Sequence, residues 1–336
     1  MIVANEILAL VNQSKKIVIT SHKSPDGDSI GCSLGMYRFL KALGHSPVIC
    51  HPDPCPAFLE WLKGDDEIID YENNSESVDK YMTEADLIFC LDYNGAGRVG
   101  PEMSELITAA TAKKVMIDHH PYPDDIFDIS ASYPDVCSTA QLIIELIVQS
   151  GNEKLLNETI GTPLYLGIVT DTGSFRFSSV TPRTHELIAV LLKSGVNHSV
   201  VHERTFDNNR LDRMKLRGFA ISEKLEFISD YGVVLLPITE KELERFNYQK
   251  GDTEGLVNLA LSIEGANVAV LIVEKDGKVK LSFRSLGTIV VNEFAKDHFE
   301  GGGHRNAAGG ISYISMEETL EKIRTNVPSY FDTIND

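Results

Sequence analysis

Two runs constrain the fold of this chain most: Asp86-Leu87-Ile88-Phe89-Cys90-Leu91-Asp92 and Lys114-Val115-Met116-Ile117-Asp118-His119-His120. Each is apolar without interruption and then stops at carboxylate or imidazole. A strand with one face in water alternates apolar and polar residues, whereas a strand covered on both faces does not. Shorter runs at 16–20, 47–51 and 67–71 predict further strands, and helices are predicted over 3–13 and 30–43, the latter stopped by Gly44. Apolar strands alternating with helices mean an α/β fold on a parallel sheet with helices on both faces. Ligands of such sheets lie beyond the carboxyl ends of the strands. Acidic or imidazole clusters stand at those ends or in the adjoining loops, so that edge is the candidate site.

The first cluster is Ser21-His22-Lys23-Ser24-Pro25-Asp26-Gly27-Asp28-Ser29, between a strand and a helix. Pro25 fixes one backbone angle and Gly27 permits a conformation that other residues avoid, so His22, Asp26 and Asp28 can converge on one point. Nitrogen and carboxylate ligands together suit a divalent ion such as Mn²⁺, Mg²⁺ or Zn²⁺. The same residues also read as an Asp-Gly turn followed by a helix cap at Asp28-Ser29. The loop alone leaves both readings standing.

Beyond the 114–120 run a polar loop is expected, then helices over 138–149 and 153–169, the second ending at Thr170-Asp171-Thr172-Gly173-Ser174-Phe175-Arg176-Phe177. Thr181-Pro182-Arg183 opens another helix, with proline at its first position. Residues 196–216 are charged and lack apolar periodicity, which predicts a partly helical connection between domains. A second pattern begins near 217, with strands over 232–238, 267–274 and 278–284; Asp276-Gly277 joins the last two as a hairpin. A helix over 290–299 then meets Gly301-Gly302-Gly303-His304-Arg305-Asn306-Ala307-Ala308-Gly309-Gly310.

A chain of 336 residues has room for two domains. No apolar run approaches the ~20 residues that cross a bilayer, and the first six residues lack the basic and apolar regions of a signal peptide. The five cysteines, Cys32, Cys50, Cys55, Cys90 and Cys137, are scattered with no CxxC pair, as expected of reduced thiols in a cytoplasm. The net charge of −18 argues against a protein that grips long nucleic acid by its phosphates. A phosphate-bearing substrate is expected to be small.

The candidate metal ligands are His22, Asp26, Asp28, Asp92, His119 and Asp171. Singly, Asp92 could cap the segment after its strand, Asp171 could cap a turn, and either histidine could be an ordinary core residue. Together, four uncompensated carboxylates at one sheet edge would repel one another at a cost of several kcal/mol. Two divalent ions sharing a carboxylate at ~3.5–4 Å separation remove that cost and activate water for phosphoester hydrolysis. Asp118 is expected to orient His119 through its second ring nitrogen. His120 is expected to contact the phosphate or protonate the leaving group, unless it is a loop residue before Pro121. The three glycines can turn several N–H groups toward an anion, with His304, Arg305 and Arg284 adding donors. The competing reading is a close-packed turn before a small-residue helix.

These motifs resemble those of the DHH phosphoesterase superfamily, and the likeness covers nearly the whole chain. The segment from His22 through Gly31 is similar to the first motif and Leu91-Asp92 with Arg98 to the second. Asp118-His119-His120-Pro121 resembles the third motif and the Thr170 to Phe177 segment the fourth. Gly301-Gly302-Gly303-His304 with Ala307-Ala308-Gly309 resembles the signature of the DHH-associated domain. The branch it resembles is that of NrnA-like nanoRNases and pAp phosphatases.

The resemblance implies a DHH domain over 1–195, a linker over 196–216 and a smaller α/β DHH-associated domain over 217–336, with the active site in the cleft between the domains. It implies one Mn²⁺ on His22, Asp26 and Asp92 and another on Asp28, Asp92, His119 and Asp171, with Mg²⁺ or Co²⁺ as substitutes. His120 and Asp118 would be catalytic, and Arg98, Arg284, Gly302, Gly303, His304 and Arg305 would bind substrate. The implied activity is hydrolysis of very short RNA to mononucleotides and of 3′-phosphoadenosine 5′-phosphate (pAp) to AMP. The alternative is a cyclic or linear dinucleotide phosphodiesterase. Partners would be short oligonucleotides or phosphorylated nucleotides, with no long duplex and no membrane; a homodimer is left open. One departure stands out: where the branch often has a further Asp after the bridging one, this chain has Asn94 and Gly95.

Overall fold

The computed structural model describes residues 3–331; Met1 and Ile2, part of the stretch read against a signal peptide, and 332–336 of the second expected domain lie outside the described residues. The chain divides into two compact units, Met1–Asn208 and Asn209–Asp336.

The first unit holds β1 (Ile17–Thr20), β2 (Val48–His51), β3 (Ile68–Asp70), β4 (Leu87–Leu91), β5 (Lys113–Asp118) and β6 (Ile129–Ser132) in one sheet. Their order is β3-β2-β1-β4-β5-β6 and every pairing is parallel. Every residue of β1 and β4 is buried, as their unbroken apolar runs require. β6 was expected to be loop. Its sequence, Ile129-Ser130-Ala131-Ser132, lies on the sheet edge and carries no apolar run, so nothing in it announces a covered strand. The strand order reverses between β1 and β4, where loops leave in opposite directions and open a crevice at the carboxyl ends.

Helices α1 (Ala4–Gln13), α2 (Gly27–Ala42), α3 (Tyr71–Glu84), α4 (Pro101–Ala109), α5 (Thr139–Gln149), α6 (Glu158–Asp171), α7 (Pro182–Lys193) and α8 (His198–Phe206) complete this unit. α2 and α6 touch backbone to backbone. A Cβ built on Gly31 would fall 2.4 Å from the Pro163 carbonyl oxygen, and one on Gly35 would fall 2.4 Å from Leu164 Cδ2. Glycines four residues apart share one helix face, so this face admits α6 and brings its last residue, Asp171, to the start of α2.

The second unit opens with α9 (Leu211–Phe219), so the charged 196–216 stretch is two helices with a short break between. Its sheet contains β7 (Glu226–Ile228), β8 (Val233–Ile238), β9 (Val268–Lys275), β10 (Lys278–Ser285), β11 (Glu300–His304) and β12 (Ala307–Ser312) in the order β11-β12-β10-β9-β8-β7. Only the β8–β9 pairing is parallel. Asp276 and Gly277 join β9 to β10 with φ of 54° and 72°, the twist a two-residue hairpin turn needs. The glycine run is neither a loop nor the prelude to a helix. It is the edge strand β11, paired with β12 in the register Gly301↔Gly310 and Gly302↔Gly309. Extended backbone turns successive N–H groups to opposite sides, so these amides do not converge as a loop nest would. Glycine is demanded by packing: a Cβ on Gly301 would sit 2.4 Å from the Gly309 carbonyl oxygen. Among the described residues, no helix is long and apolar enough to cross a membrane.

Candidate metal centre

The residues expected as metal ligands meet beyond the carboxyl ends of β1, β4 and β5. His22 follows β1 and Asp92 follows β4, and His22 Nε2 lies 3.4 Å from Asp92 Oδ2 and 3.8 Å from Asp26 Oδ1. On the other side of Asp92, Oδ1 lies 3.5 Å from His119 Nε2, which is 3.3 Å from Asp171 Oδ2. Ligand atoms of His22, Asp26 and Asp92 cluster within 4.8 Å, and so do those of Asp28, His119 and Asp171. Asp92 faces both histidines through different oxygens and stands between the two groups.

Asp26 combines an observed cap with a place in one of the candidate ligand groups. Its Oδ1 accepts the backbone N–H of Asp28 and of Ser29, each at 3.0 Å, so it is the N-cap of α2. The cap is therefore Asp26 and not Asp28-Ser29, and capping does not take this carboxylate out of the candidate ligand group. Asp28, one residue inside the helix start, is fully buried. Its two oxygens accept Thr139 N at 2.6 Å and Ala140 N at 2.8 Å, at the N-terminus of α5. Thr139 Oγ1 also donates to Asp92 Oδ1 at 3.0 Å. Sequence reasoning missed Thr139, because its threonine starts a helix like many others and its partners are 47 and 111 residues distant.

Burial alone would strip His22 of its proton, but its hydrogen bond to Asp92 and the charges of Asp26 and Asp92 outweigh that and push its pKa up to about 9. Burial likewise opposes ionisation of Asp92, yet the His22 hydrogen bond and the facing histidines hold it well below the usual carboxylate range. Asp28 goes the other way: burial first, then the charges of Asp92, Asp171 and Asp26, raise it well above the ordinary value. Helix-terminal amides do not offset that accumulation of negative charge. A divalent cation would, and the donor set of carboxylate oxygens and imidazole nitrogens is the one such ions take. The residues fit the metal.

Five non-glycine residues here have left-handed backbone: Ser24, Asp92, Tyr122, Ser174 and Phe175, with φ between 57° and 65°. Asp92 is itself a candidate ligand and the other four lie within four residues of one, and strain of this kind gathers where geometry is over-determined for function. Ser24 is held by Asp53, whose buried carboxylate accepts its N–H at 2.6 Å. Asp53 was not foreseen, since it stands among prolines in the loop after a short strand, 29 residues from the Ser24 amide that it holds.

Asp118 does not orient His119. The Nδ1 of His119 faces the Val136 carbonyl at 3.3 Å, while Asp118 Oδ1 accepts from His120 Nδ1 at 2.7 Å. Asp118 is wholly buried at the end of β5, and its Oδ2 has no hydrogen-bond partner among the described residues. Arg98 is exposed, and its carbonyl accepts the Lys23 N–H at 2.9 Å, which ties the loops after β4 and β1 together. In the second unit, Arg284 on β10 pairs across the sheet with Ala307, which in turn pairs with His304 on β11. Gly302 and Gly303 are exposed on the edge strand. Arg305 donates to the Thr288 carbonyl at 2.8 Å, and Asn306, which carried no expectation, donates to Ser285 Oγ, Gly287 O and Ile289 O.

The family description "DHH family, N-terminal domain" matches residues 16–168, and "DHHA1 domain" matches 231–331. The chain is 30% identical over 308 residues to the bifunctional oligoribonuclease and PAP phosphatase NrnA of Thermus thermophilus, covering 91% of this chain and 87% of that protein. It is 26% identical over 343 residues to the cyclic-di-AMP phosphodiesterase GdpP of Bacillus subtilis, covering 98% of this chain and 50% of that one. The crystal structure of an exopolyphosphatase-related protein from Bacteroides fragilis superposes with a TM-score of 0.95 at 35% identity, over 99% of this chain and 97% of that one.

Proposed function

The chain belongs to the DHH phosphoesterase family and is a hydrolase, and from that premise we propose that it cleaves very short RNA oligonucleotides to mononucleotides and pAp to AMP. The observation that carries the proposal is Asp92, standing between two groups of nitrogen and oxygen donors on a buried sheet edge. In this reading His22, Asp26 and Asp92 hold one divalent cation and Asp28, Asp92, His119 and Asp171 the other. Mn²⁺ is the cation of choice, with Mg²⁺ or Co²⁺ as substitutes. When bound, such a pair polarises a phosphoryl oxygen and lowers the pKa of water.

The protein supplies position and proton control. α5 fixes both Asp28 oxygens and, through Thr139, one oxygen of Asp92. Asp118 accepts a hydrogen bond from His120 Nδ1, which orients the ring, and His120 in turn meets the phosphate or passes a proton to the leaving oxygen. Arg284, His304, Arg305, Gly302 and Gly303 of the second unit, and Arg98 of the first, are proposed to bind the substrate phosphates. The −18 net charge favours small substrates over long polymers, and five unpaired thiols suit a reducing cytoplasm.

The second reading, hydrolysis of cyclic di-AMP or its linear product, is favoured by the likeness to GdpP. Product analysis with Mn²⁺ on equal concentrations of pAp, a diribonucleotide, a long RNA and cyclic di-AMP separates the two. AMP from pAp and mononucleotides from the diribonucleotide, with slow action on long RNA, are the expected result. Rapid opening of cyclic di-AMP with little turnover of pAp would replace the first reading with the second.

A further inference from the structure

The two residues that depart from the family pattern, Asn94 and Gly95, build a clamp on the loop that follows His120. Asn94 Nδ2 donates to the Pro121 carbonyl at 2.6 Å, and the Asn94 carbonyl accepts Asp124 N at 2.8 Å. Asp124 Oδ2 in turn accepts Ala96 N at 3.1 Å. Gly95 is what makes room: a Cβ there would fall 2.4 Å from Asp124 Oδ2. The clamped loop turns at Tyr122, whose φ of 62° is one that glycine or asparagine adopts far more readily. Among the described residues no buried packing repays that choice, because the Tyr122 side chain is 89% exposed. An aromatic residue, held in a strained conformation by a built support and presented bare to solvent, stands two residues from His120. Two peptide units keep the two Cα atoms within about 7 Å of each other.

We infer that Tyr122 is a specificity residue that stacks on the nucleobase of the nucleotide whose phosphate meets His120. The inference rests on the nucleotide reading above, and it adds the source of base recognition. Stacking needs a free π-face and no hydrogen-bond partners, so it accepts any base and discriminates nucleotides from other phosphoesters.

The test uses the full chain with Mg²⁺ and two probes, AMP and ribose 5-phosphate, which differ only by the base. In a Tyr122→Trp variant, AMP should quench the fluorescence of the introduced indole saturably, well beyond any change in the wild type, whose one tryptophan is Trp61. Ribose 5-phosphate should quench it far less. In steady-state assays Tyr122→Ala should raise KM for pAp by about 5- to 100-fold with kcat within about twofold, the range a lost base–aromatic stack produces, and Tyr122→Phe should restore KM. Equal quenching by both probes, or an unchanged KM in Tyr122→Ala, overturns the inference while leaving pAp hydrolysis intact. Strong AMP-specific quenching in a protein that hydrolyses none of the proposed substrates would uphold Tyr122 and overturn the catalytic reading.

Discussion

Replacing Asp92 by alanine should cost the protein both cations at once. A ligand that binds only the folded state stabilises it by about 2.7 kcal/mol at 100 times its Kd, so two cations, each at that excess, contribute about 5 kcal/mol. For a unit of the size of Met1–Asn208, each kcal/mol moves the melting temperature by about 2–4 °C. Saturating Mn²⁺ should therefore raise the melting temperature of the wild type by about 10–20 °C over its chelated form. Asp92→Ala should show almost none of that rise and should lose hydrolysis of pAp by about 1000-fold or more, the equivalent of several kcal/mol of charge stabilisation. The control is Asp26→Ser. Asp26 also caps α2, and a serine keeps the cap at little cost while withdrawing the carboxylate. That variant should keep about half of the rise. Differential scanning fluorimetry, each variant read against its own chelated form, isolates binding from changes in baseline stability. An Asp92→Ala protein that keeps most of the rise, or near-normal turnover, would refute the shared-ligand reading.

Asp118→Asn should lower kcat by about 10- to 100-fold through the misoriented His120 and leave the metal-induced rise in melting temperature intact; a lost rise would move Asp118 among the ligands. Glu145, paired with Arg183 at 2.7 and 2.9 Å, has its pKa lowered mainly by those hydrogen bonds, against the opposing effect of burial. A depressed carboxylate contributes stability above its unfolded pKa of about 4.3 and loses it as pH falls through the lower folded value. Because Arg183 is exposed, Glu145→Gln should cost no more than about 1 kcal/mol at pH 7, and denaturant melts should find the difference shrinking steadily as pH falls below the unfolded value. In the second unit, Gly301→Val should cost about 1–3 kcal/mol of overpacking, whereas Gly302→Ala, whose added Cβ would meet nothing within 4 Å, should change the unfolding midpoint little.

The candidate ligands were legible in the sequence because of how covered parallel strands are written. Once a run such as Leu87-Ile88-Phe89-Cys90-Leu91 has no polar face, the first polar side chain after it marks the sheet edge, and Asp92 needs no further argument. His22 and His119 lie one or two residues beyond the first polar side chains that follow their apolar runs, Thr20 and Asp118, and were found as members of the same polar clusters. What failed was reading glycine. Gly301, Gly302 and Gly303 have no side chains to alternate, so strand periodicity is invisible in them, and the chemical meaning of a glycine run filled the gap with a loop. β6 failed for the opposite reason, since an edge strand with serine at alternate positions carries no continuous run.

The supports of the site were illegible on a different ground: each is an ordinary residue whose meaning lies far away in the chain. Thr139 is a plain helix start until it meets Asp28 and Asp92. The substitution at Asn94 and Gly95 looks like a loss when it is compared with a motif written over a few neighbouring positions. In three dimensions Asn94 reaches 27 residues ahead to the Pro121 carbonyl, and Gly95 vacates the space that Asp124 occupies. A motif position can therefore change its residue without emptying its place, because the contact that gives the new residue its work is made with a loop that local spacing does not contain. A departure from a family pattern is best tested by asking which distant segment it now holds, and here that segment is the one carrying Tyr122 beside Asp118-His119-His120.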